Sequence, residues 1–232
     1  MFDNLNVPSI EFEGSGGLVE CLVRGLESVP RKSGGRPLVL CIGGYPFMGK
    51  TLLSHRVVSA WRGPAYALAT ESAIMTRHDR LIKQLDGSSA EAHEIDKLMA
   101  TITSVSDGAS DTVVDMYSWS LGCFDGVQQV PALQGDGLLI VDGSISTAPP
   151  ILDIADVAIA LEPADYTQWL ASAVERDISV RNWDRAEAEL QNRAKAHSVV
   201  AQLAHFGRKA TEHRVQVSFQ HDRQWLVRAT SV

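Results

Sequence analysis

Pro37-Leu38-Val39-Leu40-Cys41-Ile42-Gly43 runs directly into Gly44-Tyr45-Pro46-Phe47-Met48-Gly49-Lys50-Thr51. The first stretch is short and apolar and ends in glycine, which reads as a buried strand. The second fits G-x-x-x-x-G-K-[ST], the Walker A pattern of a phosphate-binding loop. Leu53, Val57, Ala60 and Trp61 follow on one helical face, and Arg62-Gly63-Pro64 stops the helix. Strand, glycine loop and helix therefore come in the order that phosphate binding requires. The glycines let backbone N–H groups curl around phosphate oxygens, and the helix directs its positive end at them. Lys50 supplies a mobile cation for the β and γ phosphates, and Thr51 offers a hydroxyl to Mg²⁺. Residues Gly44 to Thr51 are thus expected to hold a nucleoside triphosphate. Met48 is bulky for such a loop, and Pro46 removes one N–H from it.

Outward from this loop the same alternation repeats. Ala65 to Thr70, Gly137 to Gly143 and Asp156 to Leu161 read as further short strands. Helical spacing runs through Ile95, Leu98, Met99 and Ile102, with a capping box predicted at Ser88-Ser89-Ala90-Glu91 and an end at Asp107-Gly108. Pro163 is expected to open a helix that carries Trp169, Leu170 and Val174. Another starts at Asp184, with Glu187 three residues on, and runs to about Phe206 before Gly207. His213–Gln220 and Gln224–Ala229 suggest two closing strands, and residues 1–30 a strand and a helix at the edge. Apolar strands alternating with amphipathic helices predict an α/β fold in three layers, a mainly parallel sheet with helices on both faces. The 232 residues are expected to form one domain, with residues 185–232 a C-terminal helix and two-strand tail.

Composition excludes several classes. Hydrophobic residues make up 45% and charged residues 21%, which supports a sizeable core and rules out a disordered chain. No apolar run approaches a membrane span, and Met1-Phe2-Asp3 opens without a basic start and an apolar stretch. Cys21, Cys41 and Cys123 are too few for a disulfide framework or metal cluster, and the expectation is a reduced, cytoplasmic protein. Net charge is 21 − 28 = −7, so neither a membrane surface nor nucleic acid is an expected partner. Residues 181–232 alone are basic, 9 against 5. This basic tail could reach phosphate, or form a solvated helix face and a strand.

Three places carry further chemistry, and two more are weighed beside them. Glu71 follows the second strand, and carboxyl ends of parallel strands line the ligand crevice. There it can take a proton from an attacking hydroxyl, or simply cap a surface helix. Asp142 ends an apolar strand, as an acid near a Mg²⁺ water shell does, although Asp-Gly turns end many strands. Arg176 and Arg181, within Ala173–Asp184, suit a mobile lid that clamps phosphoryl charge, or a solvated helix–helix connection. Arg77 and Arg80 follow Glu71 and could reach an anionic acceptor or be ordinary surface charges; His93 could reach the crevice or pack.

These blocks, in this order, resemble the uridine kinase and phosphoribulokinase family of P-loop kinases. Leu85-Asp86-Gly87-Ser88-Ser89-Ala90 resembles the family's F-D-H-P-x-A segment, and Asp115-Met116-Tyr117-Ser118-Trp119 its P-x-Y-D-[FW] segment. Leu139-Ile140-Val141-Asp142-Gly143 resembles the apolar strand ending in E-G or D-G, and Arg176-Asp177-Ile178-Ser179-Val180-Arg181-Asn182-Trp183-Asp184 the lid R-D-I-x-x-R-G-R-D. The likeness spans residues 38–184. It implies a P-loop kinase fold with a helical lid around 173–184, ATP and Mg²⁺ as cofactors, and a small-molecule hydroxyl acceptor. It implies Glu71, Lys50, Arg176 and Arg181 as catalytic groups and Thr51 with Asp142 at the metal. It places Glu71, Asp86, Tyr117, Trp119 and Arg181 at the acceptor, a nucleoside-, sugar- or polyol-like metabolite, in a chain that could pair as a homodimer. Asp115, Ser118, Trp183 and Gly87 depart from the family's residues, so the acceptor pocket is altered. A nucleotide-dependent ATPase or switch acting on a partner protein, or a nucleotide binder with reduced catalysis, is the alternative reading.

Overall fold

The computed structural model describes residues 12–13, 15–31, 35–203, 212–219 and 225–231. Its centre is β2 (Leu38–Gly44), buried along its whole length. Parallel β6 (Leu138–Asp142) and β7 (Val157–Pro163) flank it, and β3 (Ala65–Ala69) lies parallel outside β6. Beyond β7 come β8 (Glu212–Phe219, parallel), then β9 (Trp225–Ser231) and β1 (Phe12–Glu13), both antiparallel. The order is β1-β9-β8-β7-β2-β6-β3. Strands buried at every position, as β2 and β6 are, need cover on both faces, and the helices supply it, giving the three-layer α/β P-loop fold. Leu18, Val19, Val23 and Leu26 of α1 (Ser15–Glu27) and Leu53 and Val57 of α2 (Lys50–Ala60) join the sheet's Leu, Val and Ile residues in one core. No helix among the described residues is long and apolar enough to cross a membrane.

Register positions the site. Ile42, Asp142 and Ala69 form one row across β2, β6 and β3. Two residues further on are Gly44, which opens the loop, and Glu71, in the 3-10 turn Thr70–Ala73. Loop, buried aspartate and glutamate therefore leave the sheet at the same edge.

Several sequence expectations shift. Pro163 closes β7, opposite Val217, rather than opening a helix. α6 (Tyr166–Arg181) begins three residues later, where the Asp165 carboxylate accepts from the N–H groups of Thr167 and Gln168. The predicted box at Ser88–Glu91 does not cap α4 (Ile95–Ser106). Asp86 accepts from the Ser88 N–H and the Ser89 carbonyl meets His93 Nδ1, so the segment closes a 3-10 turn at Ala90–Ala92 and continues extended through His93, which bridges Ile74. α7 (Arg185–Leu203) starts as expected on Asp184, which takes the Glu187 N–H; the end predicted near Phe206 lies outside the described residues. An unforeseen antiparallel hairpin, β4 (Val113–Ser118) and β5 (Cys123–Gln129), stands apart from the main sheet. Two short helices, α3 (Arg77–Lys83) and α5 (Ile151–Ile154), complete the elements of the described residues.

Candidate active site

The loop's shape follows from its glycines and from what braces it. Gly44 has φ +106, and a Cβ there would stand 2.2 Å from the Leu161 carbonyl oxygen of β7. The residue is thus needed for strand packing as well as for phosphate approach. Gly49 caps α2 at φ 78 with no side-chain cap, so the first N–H groups of α2 face the loop's hollow. Phe47 also adopts positive φ, at 62. Met48, odd for this motif by size, is fully buried beneath the loop. Trp169 of α6 donates its indole N–H to the Pro46 carbonyl at 2.8 Å and meets the Tyr45 ring edge-on at 5.2 Å. The Lys50 ammonium donates to the carbonyls of Gly44 at 3.1 Å and Tyr45 at 2.8 Å.

Two carboxylates share this one ammonium. Burial pushes the Lys50 pKa down, while Asp142 and then Glu71 hold it up. Burial, then the Asp142 charge, pushes the Glu71 carboxyl up; a backbone N–H, Lys50 and the Thr70 hydroxyl oppose that. Glu71 keeps some surface open to solvent, but its carboxylate lies in the packed crease where these charges meet. Asp142 is pushed up by burial and drawn back by Lys50, then by the hydroxyls of Thr51 and Ser54. Its Oδ1 is buried without a hydrogen-bond partner. An unsatisfied carboxylate oxygen beside a Thr51 hydroxyl fits a Mg²⁺ shell completed by phosphate and water. No cluster of three His, Cys, Asp or Glu able to hold a metal occurs among the described residues.

The predicted lid is the last two turns of α6 and not a connection between helices. Arg176 and Arg181 lie inside the helix, which ends at Asn182 with φ 55. Arg176 stacks over the Phe47 ring at 3.9 Å, and Arg181 lies 5.9 Å from the same ring. Lys195 of α7, which sequence reasoning did not single out, is also 5.9 Å from Phe47. Asp177, completely buried, anchors this group. Lys195 reaches its Oδ2 at 3.4 Å, Asn192 donates to Oδ2 at 3.0 Å, and Arg181 Nε stands 3.3 Å from Oδ1, an ion pair without hydrogen-bond alignment. Burial, then Arg181, lowers the pKa of both Arg176 and Lys195. Cations thus outnumber the acid around Phe47, at the tip of the phosphate loop.

The other candidate residues form the opposite wall. β4 lies against the turn that carries Glu71. Tyr117, on β4, meets Trp119 edge-on at 5.1 Å and Phe124 at 5.7 Å. Arg181 lies 5.7 Å from the Trp119 ring, which joins the lid to this wall. Asp86 is engaged from α7, where Ser198 donates to its Oδ2 at 3.0 Å. His93 is 5% exposed; Nδ1 meets the Ser89 carbonyl at 2.9 Å, and Nε2 is buried without a partner. The arginines that follow Glu71 separate. Arg77 is exposed and donates to the Trp119 carbonyl, whereas Arg80 is buried beneath Tyr117 and Trp119. A depression lined by Gly35, Arg36, Asp107 and Gln134 lies at the amino ends of β2 and β6, away from all of these.

A mainly parallel sheet with helices on both faces and a glycine loop capping α2 define the three-layer α/β P-loop fold. Solved structures with this fold include the D-glycerate 3-kinase of Cryptococcus neoformans, with TM-score 0.64, 13% identity and coverage of 92% of this chain and 97% of that one. A chain from Silicibacter sp. TM1040, proposed to be a fructose transport system kinase, gives TM-score 0.64 at 18% identity, over 79% of this chain and 94% of that one. The phosphoribulokinase of Rhodobacter spheroides gives 0.58 at 16% identity, over 80% and 71%. The likeness lies in the fold. No protein-family model matches the sequence, and no curated protein is similar to it.

Proposed function

We infer that this chain is an ATP-dependent small-molecule kinase that transfers the γ-phosphoryl group to a hydroxyl of a metabolite. The observation that carries this reading is the meeting of Lys50, Asp142 and Glu71 in one buried electrostatic cluster at the mouth of the Gly44–Thr51 loop. In the proposed reaction the acceptor oxygen bonds to the γ-phosphorus, the bond to the β–γ bridging oxygen breaks, and ADP leaves. Glu71 takes the hydroxyl proton; its raised pKa makes it a better base than an exposed glutamate. Lys50 and the first N–H groups of α2 hold phosphate oxygens, and Arg176 and Arg181 neutralise charge from the lid side. Mg²⁺, held by Thr51 with Asp142 bonding its water shell, would withdraw charge from the phosphates. Acceptors are placed between Glu71, Asp86, Tyr117, Trp119 and Arg181. The neighbouring kinases, named for acting on glycerate and phosphorylated ribulose, support a small hydroxylated acceptor.

ADP release measured across nucleosides, sugars, polyols and hydroxy acids tests this. Turnover should depend on one acceptor. Glu71→Gln should lower kcat by about 10²–10⁴ while MgATP affinity holds. Equal ADP release without any acceptor would make the chain an ATPase, and an unchanged rate in Glu71→Gln would remove that residue from proton transfer.

A further inference from the structure

Arg80 is 8% exposed, yet it pairs with no carboxylate among the described residues. Its Nη1 donates to the Met75 carbonyl at 2.9 Å and its Nη2 to the Tyr117 hydroxyl at 3.1 Å. Its guanidinium carbon lies 5.5 Å from the Tyr117 ring and 5.7 Å from Trp119. A guanidinium has five N–H donors in a planar fork, so these bonds leave most of it unused. The Asp86–Gly87 turn lies against it, close enough that a Cβ on Gly87 would sit 3.6 Å from Arg80 Cζ, yet no ion pair or hydrogen bond joins Asp86 to Arg80. Burying a cation away from an opposite charge is costly, and aromatic faces offset only part of that. The arrangement is built around an anion.

Its place says which one. Met75 closes the segment that begins with Glu71, and Tyr117 lies on the strand packed against that segment. Trp119 has Arg80 at 5.7 Å and the lid's Arg181 also at 5.7 Å. Arg176, Arg181 and Lys195 cluster on Phe47, at the phosphate loop. Arg80 is joined instead to Tyr117 and Trp119, among the candidate acceptor residues. Beside it, His93 Nε2 is a buried acceptor with no partner. Because Nδ1 faces a carbonyl and so carries the ring's proton, Nε2 is left as an acceptor and adds no positive charge beside Arg80.

We propose that the acceptor carries an anionic group, a carboxylate or a phosphate, which Arg80 binds at the Tyr117–Trp119 wall while the reacting hydroxyl faces Glu71. The assignment rests on the kinase reading and sharpens it from any hydroxylated metabolite to an acidic one. The bidentate fork suits either oxyanion, and Tyr117 orients it.

The experiment compares matched compounds. Glycerate tests the carboxylate, glycerol 3-phosphate and ribose 5-phosphate the phosphate, and glycerol, ribose and uridine the neutral case. ADP release is measured for each, and each is titrated calorimetrically into protein loaded with the Mg²⁺ complex of a non-hydrolysable ATP analogue. An anionic compound should exceed its neutral counterpart in kcat/KM. Arg80→Gln should raise its KM or Kd by about 10–100-fold and leave the KM for MgATP unmoved. Arg80→Lys, which keeps charge and bulk, should recover part of the loss and guards against simple misfolding. A neutral compound used as well as the acids, or an anion KM unchanged in Arg80→Gln, overturns the assignment and leaves the kinase reading intact. No anion binding to the loaded protein overturns it also. Anion binding that Arg80→Gln abolishes, without any ADP release, would uphold Arg80 as an anion site and defeat the kinase reading on which the anion's role as acceptor rests.

Discussion

Replacing His93 with Asn should remove a measurable part of the protein's sensitivity to acid. The imidazole is buried on the bridge to Ile74, and its pKa falls from 6.5 to about 4. Burial is the main cause; the Ser89 carbonyl and Asp86 oppose it, and the Arg80 charge reinforces it. The folded form therefore holds the ring neutral while the unfolded chain charges it near pH 6.5. Stability from this group is fully present above about 6.5 and is lost as pH falls toward 4. Each pH unit in that window amounts to about 1.4 kcal/mol, so the full effect is about 3 kcal/mol, and the part between pH 7.5 and 5 is about 2 kcal/mol. Glu71 and Asp142, whose carboxyl pKa values are raised, act with the opposite sign, because their folded forms gain protons as pH falls. They are common to both proteins and cancel in the difference. Asn is chosen because its amide nitrogen can stand in for Nδ1 on the Ser89 carbonyl. Urea unfolding of both proteins at pH 7.5, 6.5, 5.5 and 5.0 supplies the measurement. The wild type should lose about 2 kcal/mol more than His93→Asn across that range. Parallel losses in the two proteins would mean that the ring is solvated or already charged, and would refute the burial argument.

Gly143→Ala places a Cβ 1.7 Å from the Thr70 hydroxyl, which donates to Glu71, in a residue whose φ is 153. It should cost about 1–3 kcal/mol in thermal stability and lower kcat more than it raises the KM for MgATP; an unchanged kcat would detach Thr70 from the positioning of Glu71. Asp177→Ala leaves Lys195 and Arg181 without their buried counter-charge and should cost about 3–5 kcal/mol in denaturant unfolding, with less than 1 kcal/mol ruling out the anchor role. Trp169→Phe loses the hydrogen bond to the Pro46 carbonyl and should weaken MgATP binding several-fold in calorimetry, with unchanged affinity showing that the loop needs no brace from α6.

What could be read from the chain depended on whether local pattern and tertiary role agreed. β2, the loop and α2 were legible because an all-apolar strand, paired glycines and a one-sided helix have few other uses. Glu71 and Asp142 were legible because strand ends converge in a parallel sheet. The helical state of Arg176 and Arg181 was not legible. Asp177 takes a core position on α6 as a buried charge, which interrupts the apolar stripe of Trp169, Leu170, Ala173 and Val174. The β4–β5 hairpin escaped because much of it is exposed on both faces and its register shifts between Asp115 and Tyr117, so no alternation survives. Its available signal was the Gly122 turn between two β-branched and aromatic stretches. Arg77 and Arg80 look alike in sequence; only the way α3 packs under Tyr117 and Trp119 distinguishes them. Lys195 was not singled out, because its partner Asp177 lies on a different helix.

The central claim is that the amides of Gly44–Thr51 and the Lys50 ammonium hold a polyphosphate. Calorimetric titration of the protein with a non-hydrolysable Mg²⁺–ATP analogue, beside Lys50→Ala, tests it most directly. A saturable heat in the wild type that Lys50→Ala largely abolishes is the result expected. No heat with any triphosphate, or equal affinity in Lys50→Ala, would contradict the account from its first step.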